Sequence, residues 1–414
     1  MKNKNKHPKP TRSKFTILKQ LCQLIASHMV SKLARKHGVD KKARTFSPWS
    51  HVVSMLYAQL IHAIGLNDVC DNLRLHNGPL STIRGATAPS RNGLSHANKH
   101  RRSDLMQDLF WKILKHLKNT QSNFGLSQPY QGFPRRFRRT IHAVDSTTIH
   151  LVARCMDWAR HRRRKAAARC HLRLDLQSFL PRFAIVDTAK IHDKKKAYAL
   201  CAGIKSGEIV VFDKAYVDFE FLFDLQERGV FWVTRAKDNM AFRVVKKRMK
   251  KRQGNVLRDD EVVLKTSKSK TAYPQRLGMI LAEVSVNGKW VKMVFISNNL
   301  QWAPQSICDL YKSRWAIEVF FKQIKQTLQL ADFMGTTANA VQWQIWSAML
   351  LYVLLRFQAF IHGWNHSFTR LFTLIRGAVW SRINLQSLLH FYGTANGHFK
   401  LLCRPDQAFL PGFG

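Results

Sequence analysis

The sequence predicts a chain of the α+β or α/β class, in which a mixed sheet with flanking helices follows an all-helical N-terminal region. Three observations support this prediction. In residues 15–118, apolar residues recur every three or four positions, which is typical of amphipathic helices. After residue 139, short apolar stretches alternate with helical ones, which indicates layers of strands and helices. Residues 239–300 then carry several β-like stretches in succession, which predicts a β-rich insertion.

The composition indicates a folded protein with a polyanionic partner. Hydrophobic residues make up 45% of the 414, which is enough for a sizeable core and excludes wholesale disorder. Lys and Arg number 68 against 25 Asp and Glu, so the formal net charge is +43. We expect nucleic acid as the partner, because a folded chain with such self-repulsion needs a polyanion. An anionic membrane surface is the weaker alternative.

Cysteine usage and hydropathy favour a cytoplasmic protein. The seven cysteines include no CxxC pair, which argues against a disulfide framework and a cysteine zinc site and fits a reducing compartment. The N-terminal residues lack the apolar core of a signal peptide. The longest apolar run, 345–355, is shorter than the ~20 residues that span a bilayer, so we expect a buried helix there.

Changes in composition and in hydrophobic pattern along the chain predict its domains. Residues 119–139 are polar and rich in Pro, Gly and Arg, which indicates a linker. The predicted order is a basic tail (1–14), a helical N-terminal domain (15–118), the linker, a sheet-containing domain (140–365) with its insertion (239–300), and a C-terminal helical segment (366–414). Two pieces of the helical domain, 76–80 and 87–101, are predicted as turn-rich.

Within the sheet-containing domain, residues 140–153 predict a strand, a turn and a second strand. Further strands are predicted in 170–190, around a turn at 178–181, and in 207–216 and 230–237, while helices are predicted in 192–204, 218–229, 303–328 and 338–361.

Two aspartates stand at the ends of apolar strands. Asp145 follows IHAV and Asp213 follows EIVVF. Reactive groups collect at strand ends of open α/β sheets, and two carboxylates there can hold Mg²⁺, which prefers oxygen ligands. The simpler interpretation is that each aspartate only caps or turns the chain. Asp175 and Asp187 also lie in or near strands, but they fit less well, since Asp175 sits between leucines.

A polar stripe follows the predicted helix after residue 303. At ~100° per residue, Tyr311, Arg314, Glu318 and Lys325 share one arc of roughly 60°, next to an apolar arc. The stripe could present charged groups to a ligand. The simpler interpretation is a solvated face with ion pairs worth tenths of a kcal/mol.

Taken together, these residues resemble the DDE transposases of bacterial insertion sequences, and more narrowly the insertion-sequence-4 group. The signature of that group is Tyr, two residues, Arg, three residues, Glu, six residues and Lys, and residues 311–325 match it in full. The stretches HAVDSTTIHL, FDKAYVDFE and VTRAKDN agree as well. The resemblance covers residues 140–360, and residues 46–118 are similar to the helical domain that often precedes this catalytic domain.

The resemblance implies a ribonuclease H-like catalytic domain with a β-rich insertion, preceded by a DNA-binding helical domain. Asp145 would end the first strand and Asp213 the fourth, and with Glu318 they would be the catalytic residues and the ligands of two Mg²⁺ ions, with Mn²⁺ as a substitute. Tyr311, Arg314 and Lys325 would bind DNA. The enzyme would cleave the element's terminal inverted repeats and join them to target DNA, as a homodimer in the synaptic complex at the nucleoid.

Other features have less specific patterns. The basic runs 135–139, 160–165 and 246–252 are candidate phosphate-binding segments, or solvated faces. The segment 87–101 could be the recognition element of a helix-turn-helix. His142 and His150 flank Asp145, but we interpret them as buried or turn residues. Relatives in the resembled group flip a base onto a tryptophan. The possible counterparts here are Trp232 and Trp290, which we interpret as core residues.

Three functions remain open from the sequence. The first is an active transposase. The second is a catalytically inactive, transposase-derived DNA-binding protein, against which the intact set of Asp145, Asp213 and Glu318 counts. The third is a ribonuclease H-like nuclease without strand transfer, which explains the insertion and the stripe less well. A basic ribosome-associated protein would explain the charge but not the three carboxylates.

Overall fold

The structure is a computed structural model that describes residues 10–41, 43, 45–125, 137, 139–151, 155, 160–162, 165–188, 193–286, 288–328 and 334–392. Most of the predicted basic tail, much of the predicted linker, the end of the C-terminal segment and parts of the basic runs 135–139 and 160–165 lie outside these residues. The described residues form two units. The helical unit lies within Met1–Phe124, Ile149–Ala167 and Lys322–Arg404, and the sheet unit within Gly125–Thr148 and Ala168–Phe321.

Helices occupy most of residues 15–118, as the periodicity predicts. They are α1 (Ile17–Gln23), α2 (Ser27–Lys36), α3 (Pro48–Ile61), α4 (Leu66–Leu75), α5 (Asn77–Ser81), α6 (Arg91–His100) and α7 (Asp104–Thr120). Local chemistry sets several starts: the Ser47 side chain accepts a hydrogen bond from the backbone N–H of Ser50, and Pro48 fits the first turn because it needs no amide partner.

Two segments that were predicted as turn-rich are helical instead. Residues 76–80 largely form the short α5, and residues 87–101 contain α6. In α6, the Ser90 side chain caps the backbone N–H of Gly93, and the helix buries Leu94, Ala97 and Asn98. Capping and burial of one face therefore outweigh the low helix propensity of Gly93.

A long apolar helix forms the core of the helical unit. It is α13 (Ala338–Ile361), which contacts α3, α6 and α7 and is buried on all sides over most of its length. By length and composition alone it could cross a membrane, but 78% of its most apolar window is buried inside the protein. The predicted buried helix at 345–355 is thus confirmed. Two shorter helices follow, α14 (Phe368–Gly377) and α15 (Leu385–Phe391).

One mixed sheet runs through the sheet unit. Its strands are β1 (Ile141–Leu151), β2 (Arg160–Arg162), β3 (Lys165–Asp175), β4 (Leu180–Thr188), β5 (Ile209–Phe212), β6 (Phe231–Arg235), β7 (Phe242–Lys247), β8 (Val256–Leu264), β9 (Leu277–Val286) and β10 (Lys289–Ser297). The order is β2-β3-β1-β5-β6-β10-β9-β8-β7, and β4 pairs with β3. Helices α8 (Asp193–Cys201), α9 (Phe219–Glu227) and α10 (Ser267–Ala272) belong to the same unit.

The central strands have the arrangement of a ribonuclease H-like sheet. β1, β5 and β6 are parallel neighbours, and the antiparallel hairpin of β3 and β4 extends the sheet beyond β1. With the three-residue β2 left out, β5 is the fourth strand. The predicted fold class is therefore confirmed, and the apolar core between α9 and the strands includes Phe212, Phe221 and Trp232.

Two details differ from the predictions. Residues 141–151 form one continuous strand, so Asp145 does not end β1 as expected. The turn between β3 and β4 lies at 176–179, about two residues earlier than predicted. The β-rich stretch 239–300 contains β7 to β10; β10 pairs antiparallel with β6 and continues the central sheet outward through β9, β8 and β7.

The predicted helix after residue 303 is not regular along its whole length. It comprises α11 (Pro304–Ser313) and α12 (Trp315–Lys322), and Arg314 between them keeps right-handed helical backbone angles. A wider π-helical turn, Gln323–Thr327, follows. This turn changes the angle between successive side chains, so the constant ~100° per residue assumed for the stripe does not hold as far as Lys325.

Candidate active site

The site is built where two parallel strands stop pairing. The last residue pair between β1 and β5 is Val144 with Phe212, and the next residue in each strand is an aspartate, Asp145 and Asp213. Carboxyl ends of parallel strands meet at the same edge of a sheet, so the two carboxylates lie near each other. Asp213 stands at the start of a short 3₁₀ turn, Lys214–Tyr216, whereas β1 continues past Asp145.

The Asp145 carboxylate is largely buried, with 17% of its side chain exposed. Its Oδ2 lies 2.6 Å from Nη1 of Arg314, and its Oδ1 accepts a hydrogen bond of 2.7 Å from the backbone N–H of Ser146. Burial raises the pKa of Asp145 to about 6, against the lowering effects of Arg314 and the Ser146 amide; the charges of Glu318 and Asp213 raise it further. The three carboxylates therefore share one electrostatic environment.

Arg314 joins two of the three carboxylates. It lies between α11 and α12, and its Nη2 donates a hydrogen bond of 2.7 Å to Oε1 of Glu318, one turn later. Burial lowers the pKa of Arg314, but the charges of Asp145, Tyr311, Glu318 and Asp213 more than offset this, so the pKa lies above its ordinary value. The guanidinium thus remains charged between two acids.

Tyr311 reaches the remaining aspartate. Its hydroxyl donates a hydrogen bond of 3.2 Å to Oδ1 of Asp213, and its ring packs on Phe295 of β10 with a centroid distance of 4.9 Å. The guanidinium carbon of Arg314 lies 5.6 Å from the same ring. Burial raises the pKa of Tyr311 to about 12, and Asp213 raises it while Arg314 lowers it, so the hydroxyl is a donor at neutral pH.

The structure brings five of the six predicted site residues together: Asp145, Asp213, Tyr311, Arg314 and Glu318. The sixth, Lys325, lies in the π-helical turn, in a segment that belongs to the helical unit. A helical wheel with one fixed angle does not describe its position.

The competing acids are held in structural contacts instead. Asp175 ends β3, is 2% exposed, pairs with Arg182, and accepts backbone hydrogen bonds at the turn that follows. Asp187 pairs with Lys196 of α8 at 2.7 Å.

The two histidines that flank Asp145 differ. His142 is buried, as expected, and its Nε2 lies 3.1 Å from Oε2 of Glu208. His150 is an exposed strand residue, so the interpretation as a buried or turn residue is wrong for it.

The two tryptophans also differ. Trp232 is fully buried, and its ring nitrogen donates a hydrogen bond to the carbonyl of Leu222, so it is a core residue as expected. Trp290 is 71% exposed on β10, so the interpretation of this residue as core is wrong. The first four residues of β10 are exposed, which the apolar pattern of the strand does not reveal.

A cleft beside Asp213 adds residues that the sequence reasoning did not select. It is lined by Asp213, Lys214, Ala215, Lys237, Asp238 and Asn239. Lys214 pairs with the exposed Asp238 at 3.1 Å. In the sequence, only their positions could have pointed to these residues. Lys214 follows Asp213 directly, and Lys237 comes after β6, the next parallel strand.

The donor set suits a hard divalent cation, because three carboxylates supply oxygen ligands only. Within the part of the chain that the structure describes, no group of three or more His, Cys, Asp or Glu side chains is spaced to hold a metal ion. In this arrangement the carboxylate oxygens have protein partners: the Arg314 guanidinium is bonded to Asp145 and Glu318, and the Tyr311 hydroxyl donates to Asp213.

Comparisons with known proteins show the family of the chain. A transposase DDE domain matches residues 136–354, which is more than half of the chain, and a domain of unknown function (DUF4372) matches residues 13–83. The candidate transposase y4zB of Sinorhizobium fredii is 29% identical over 276 residues, 66% of this chain and 76% of its own length. The candidate transposase of insertion sequence element IS5377 from Geobacillus stearothermophilus is 30% identical over 223 residues, 53% of this chain and 57% of its own length.

A more distant relative spans more of the chain. The transposase for insertion sequence element IS231E of Bacillus thuringiensis is 20% identical over 381 residues, 80% of this chain and 77% of its own length. A solved piggyBac transposase synaptic complex with hairpin DNA covers 92% of this chain and 84% of its own at 6% identity and a TM-score of 0.45, and no conclusion rests on it. The domain match means that the chain belongs to the DDE transposase family, in the insertion-sequence-4 type, whose enzymes depend on a divalent metal, and that it is a DNA transposase in function.

Proposed function

We propose that this transposase cleaves the ends of an insertion sequence and joins them to target DNA at the cluster of Asp145, Asp213 and Glu318. One observation supports this site above all. Two aspartates just past the last residue pair of β1 and β5 and a glutamate from α12 share a single electrostatic environment, in which Arg314 contacts Asp145 and Glu318. Few places in a chain of net charge +43 collect three carboxylates, so the cluster is a strong candidate for chemistry.

The three carboxylates would hold two Mg²⁺ ions, with Mn²⁺ as a substitute. When bound, such ions supply activation of the attacking oxygen and stabilisation of the leaving oxygen in a phosphodiester displacement. The chain's own contribution is to fix the ligands: β1 and β5 set the spacing of the two aspartates, and α12 carries Glu318.

Three further residues, Tyr311, Arg314 and Lys325, would position DNA. The planar guanidinium of Arg314 can bind a phosphate through two parallel hydrogen bonds, the Tyr311 hydroxyl can donate one, and Lys325 can act as a point charge. The attack on the phosphodiester would first be a hydrolysis at the element's end. The second step would be a transesterification, in which the freed 3′-hydroxyl attacks target DNA and no covalent bond to the enzyme is needed.

Recognition of the terminal inverted repeats would fall to the helices within residues 15–118, and α6 is the best placed of them. Its buried face is fixed by hydrogen bonds, since Asn98 bonds to His51 and its carbonyl accepts from Asn339. Its exposed residues include Arg91, Asn92 and Lys99, and the helix carries no acid. These are side chains that read base edges in a major groove. Two copies, acting as a homodimer on paired ends at the cytoplasmic nucleoid, would complete the synaptic complex.

The test is cleavage and joining of duplexes that carry the element's ends, with Mg²⁺ present. Asp145→Asn, Asp213→Asn and Glu318→Gln should each lower the cleavage rate by at least about 10³-fold, because each removes a metal ligand and leaves phosphate contacts in place. Binding of the uncut duplex should stay within about twofold. The exposed Glu220→Gln on α9 is the matched control and should cleave like the wild type.

Joining is measured separately, with pre-cut ends and an unrelated target duplex. Wild-type joining with Mg²⁺ would support the transposase. Cleavage without joining would instead support a nuclease that lacks strand transfer, and binding with neither reaction would support an inactive DNA-binding relative. Near-wild-type cleavage by any one of the three variants would remove that residue from the site.

A further inference from the structure

Arg314 is bonded to the same oxygen atoms that a metal ion would need. Its two terminal nitrogens lie 2.6 Å from Oδ2 of Asp145 and 2.7 Å from Oε1 of Glu318. Only 15% of the Arg314 side chain is exposed, so these are shielded, charge-assisted contacts and not loose surface pairs. The guanidinium therefore acts as an internal counter-charge for two of the three carboxylates.

The third carboxylate is arranged differently. Asp213 accepts a hydrogen bond from the neutral Tyr311 hydroxyl at 3.2 Å, whereas the other two acids contact the Arg314 guanidinium directly. Asp145 and Glu318 are thus the acids whose oxygens Arg314 occupies, and Arg314 is the group that a divalent cation would have to move.

Arg314 also has a donor that its two carboxylate partners leave unused. It lies between α11 and α12, and its Nε is buried without a hydrogen-bond partner among the described residues. A buried donor without a partner is costly, so the present arrangement does not satisfy the guanidinium fully. A DNA phosphate would offer the bidentate acceptor that this side chain is suited to bind.

We propose that Arg314 and the divalent metal compete for Asp145 and Glu318, so that metal binding releases Arg314 to bind a DNA phosphate. This inference rests on the proposed function, because it takes the three carboxylates as the metal ligands. Its consequence is a reciprocal coupling: DNA that engages Arg314 raises the affinity for metal, and metal raises the affinity of the site for DNA, by the same factor. Arg314 would thus be a positioning residue that couples the two ligands.

The test is calorimetric titration of the full chain with Mn²⁺ in the absence of DNA. Arg314→Ala should bind Mn²⁺ about 10- to 100-fold more tightly than the wild type, because no charge-assisted hydrogen bonds have to be broken first. Arg314→Lys should fall between the two, since a point charge cannot bridge both acids. The control is Arg252→Ala, which removes an arginine paired with Glu283 at 2.7 Å elsewhere in the sheet unit, and it should leave Mn²⁺ binding unchanged.

A purely structural role for Arg314 predicts the opposite result, because loss of a structural ion pair would loosen the site and weaken Mn²⁺ binding. Unchanged or weaker binding in Arg314→Ala overturns the proposal; if that variant does not fold, the same result in Arg314→Lys overturns it. Asp145→Asn separates this failure from that of the proposed function. If Asp145→Asn abolishes Mn²⁺ binding while Arg314→Ala leaves it unchanged, the metal site stands and only the competition is wrong.

Discussion

Asp145 and Asp175 show how surroundings decide what an acid can do. Asp175 is the more buried of the two, but an arginine and backbone amides at a turn already engage it. Asp145 shares its arginine with Glu318, and its pKa is raised to about 6 by burial and by the neighbouring carboxylates. Asp175 stabilises the hairpin of β3 and β4, whereas Asp145 belongs to the carboxylate cluster of the candidate site.

Sequence alone could select Asp145, Asp213 and Glu318. The two aspartates follow apolar runs and Glu318 lies in a spaced signature, and both patterns can be read along the chain. The sequence could not show that Arg314 bridges two of them. Its contact with Glu318 is a local pair one helical turn apart, but its contact with Asp145 joins residues 169 positions apart in the chain.

His51 supplies a prediction on stability and pH. It is completely buried in the helical unit, its Nε2 lies 2.8 Å from Oδ1 of Asn98, and burial lowers its pKa to about 3. The unfolded chain takes up a proton near pH 6.5 and the folded chain does not, so the free energy of unfolding is highest above pH 6.5 and falls as the pH drops toward 3. The contribution of one such histidine is at most about 1.4 kcal/mol per pH unit.

The measurement is the free energy of unfolding by denaturant between pH 4 and 7. His51→Gln should reduce its slope against pH by about one proton, while the exposed His28→Gln should not. Equal slopes in the wild type and His51→Gln would mean that His51 becomes protonated in the folded protein.

Among the helices and strands, predictions succeeded where periodicity was strong and failed where tertiary contacts decided. The helix at 338–361 and the strand before Asp213 follow directly from their apolar patterns. The α6 segment looked like a turn because of Pro89 and Gly93, but a serine cap and a buried face make it a helix. The extra length of β1 past Asp145 was also missed, since residues 146–148 are polar and only half buried.

The exposed face of α6 gives a prediction for this element. Arg91→Ala and Asn92→Ala should each weaken binding to the element's end by about 5- to 150-fold, the value of one bidentate base contact, and should change binding to unrelated duplex far less. Exposed substitutions of this kind should leave the unfolding midpoint nearly unchanged. The control is the exposed Lys32→Ala on α2, and competition binding with end and non-end duplexes is the measurement.

Equal end preference in the wild type and both variants would exclude α6 as the reading helix. Point changes are preferable to truncation in this experiment, because the helical unit also includes residues within Lys322–Arg404, so a chain starting at residue 119 would lose only part of that unit.

Across the whole molecule, charge is distributed unevenly in a way that fits DNA chemistry. The chain carries +43 overall, which favours association with a polyanion along its surface, and the candidate site gathers Asp145, Asp213 and Glu318, two of which pair with Arg314. Overall charge was predictable from composition. The gathering of the three carboxylates was not, because it depends on β1, β5 and α12 meeting in three dimensions.

The central claim is that Asp145, Asp213 and Glu318 act as one catalytic unit, and a double-variant comparison of single-turnover cleavage rates tests it most directly. Residues that act as a unit are strongly non-additive, so a second substitution adds little once the first has abolished the chemistry. We predict that Asp145→Asn, Asp213→Asn and the double variant all cleave an end-bearing duplex with Mg²⁺ at the same residual rate. Losses that multiply in the double variant, or a single variant that keeps a near-wild-type rate, would contradict the account.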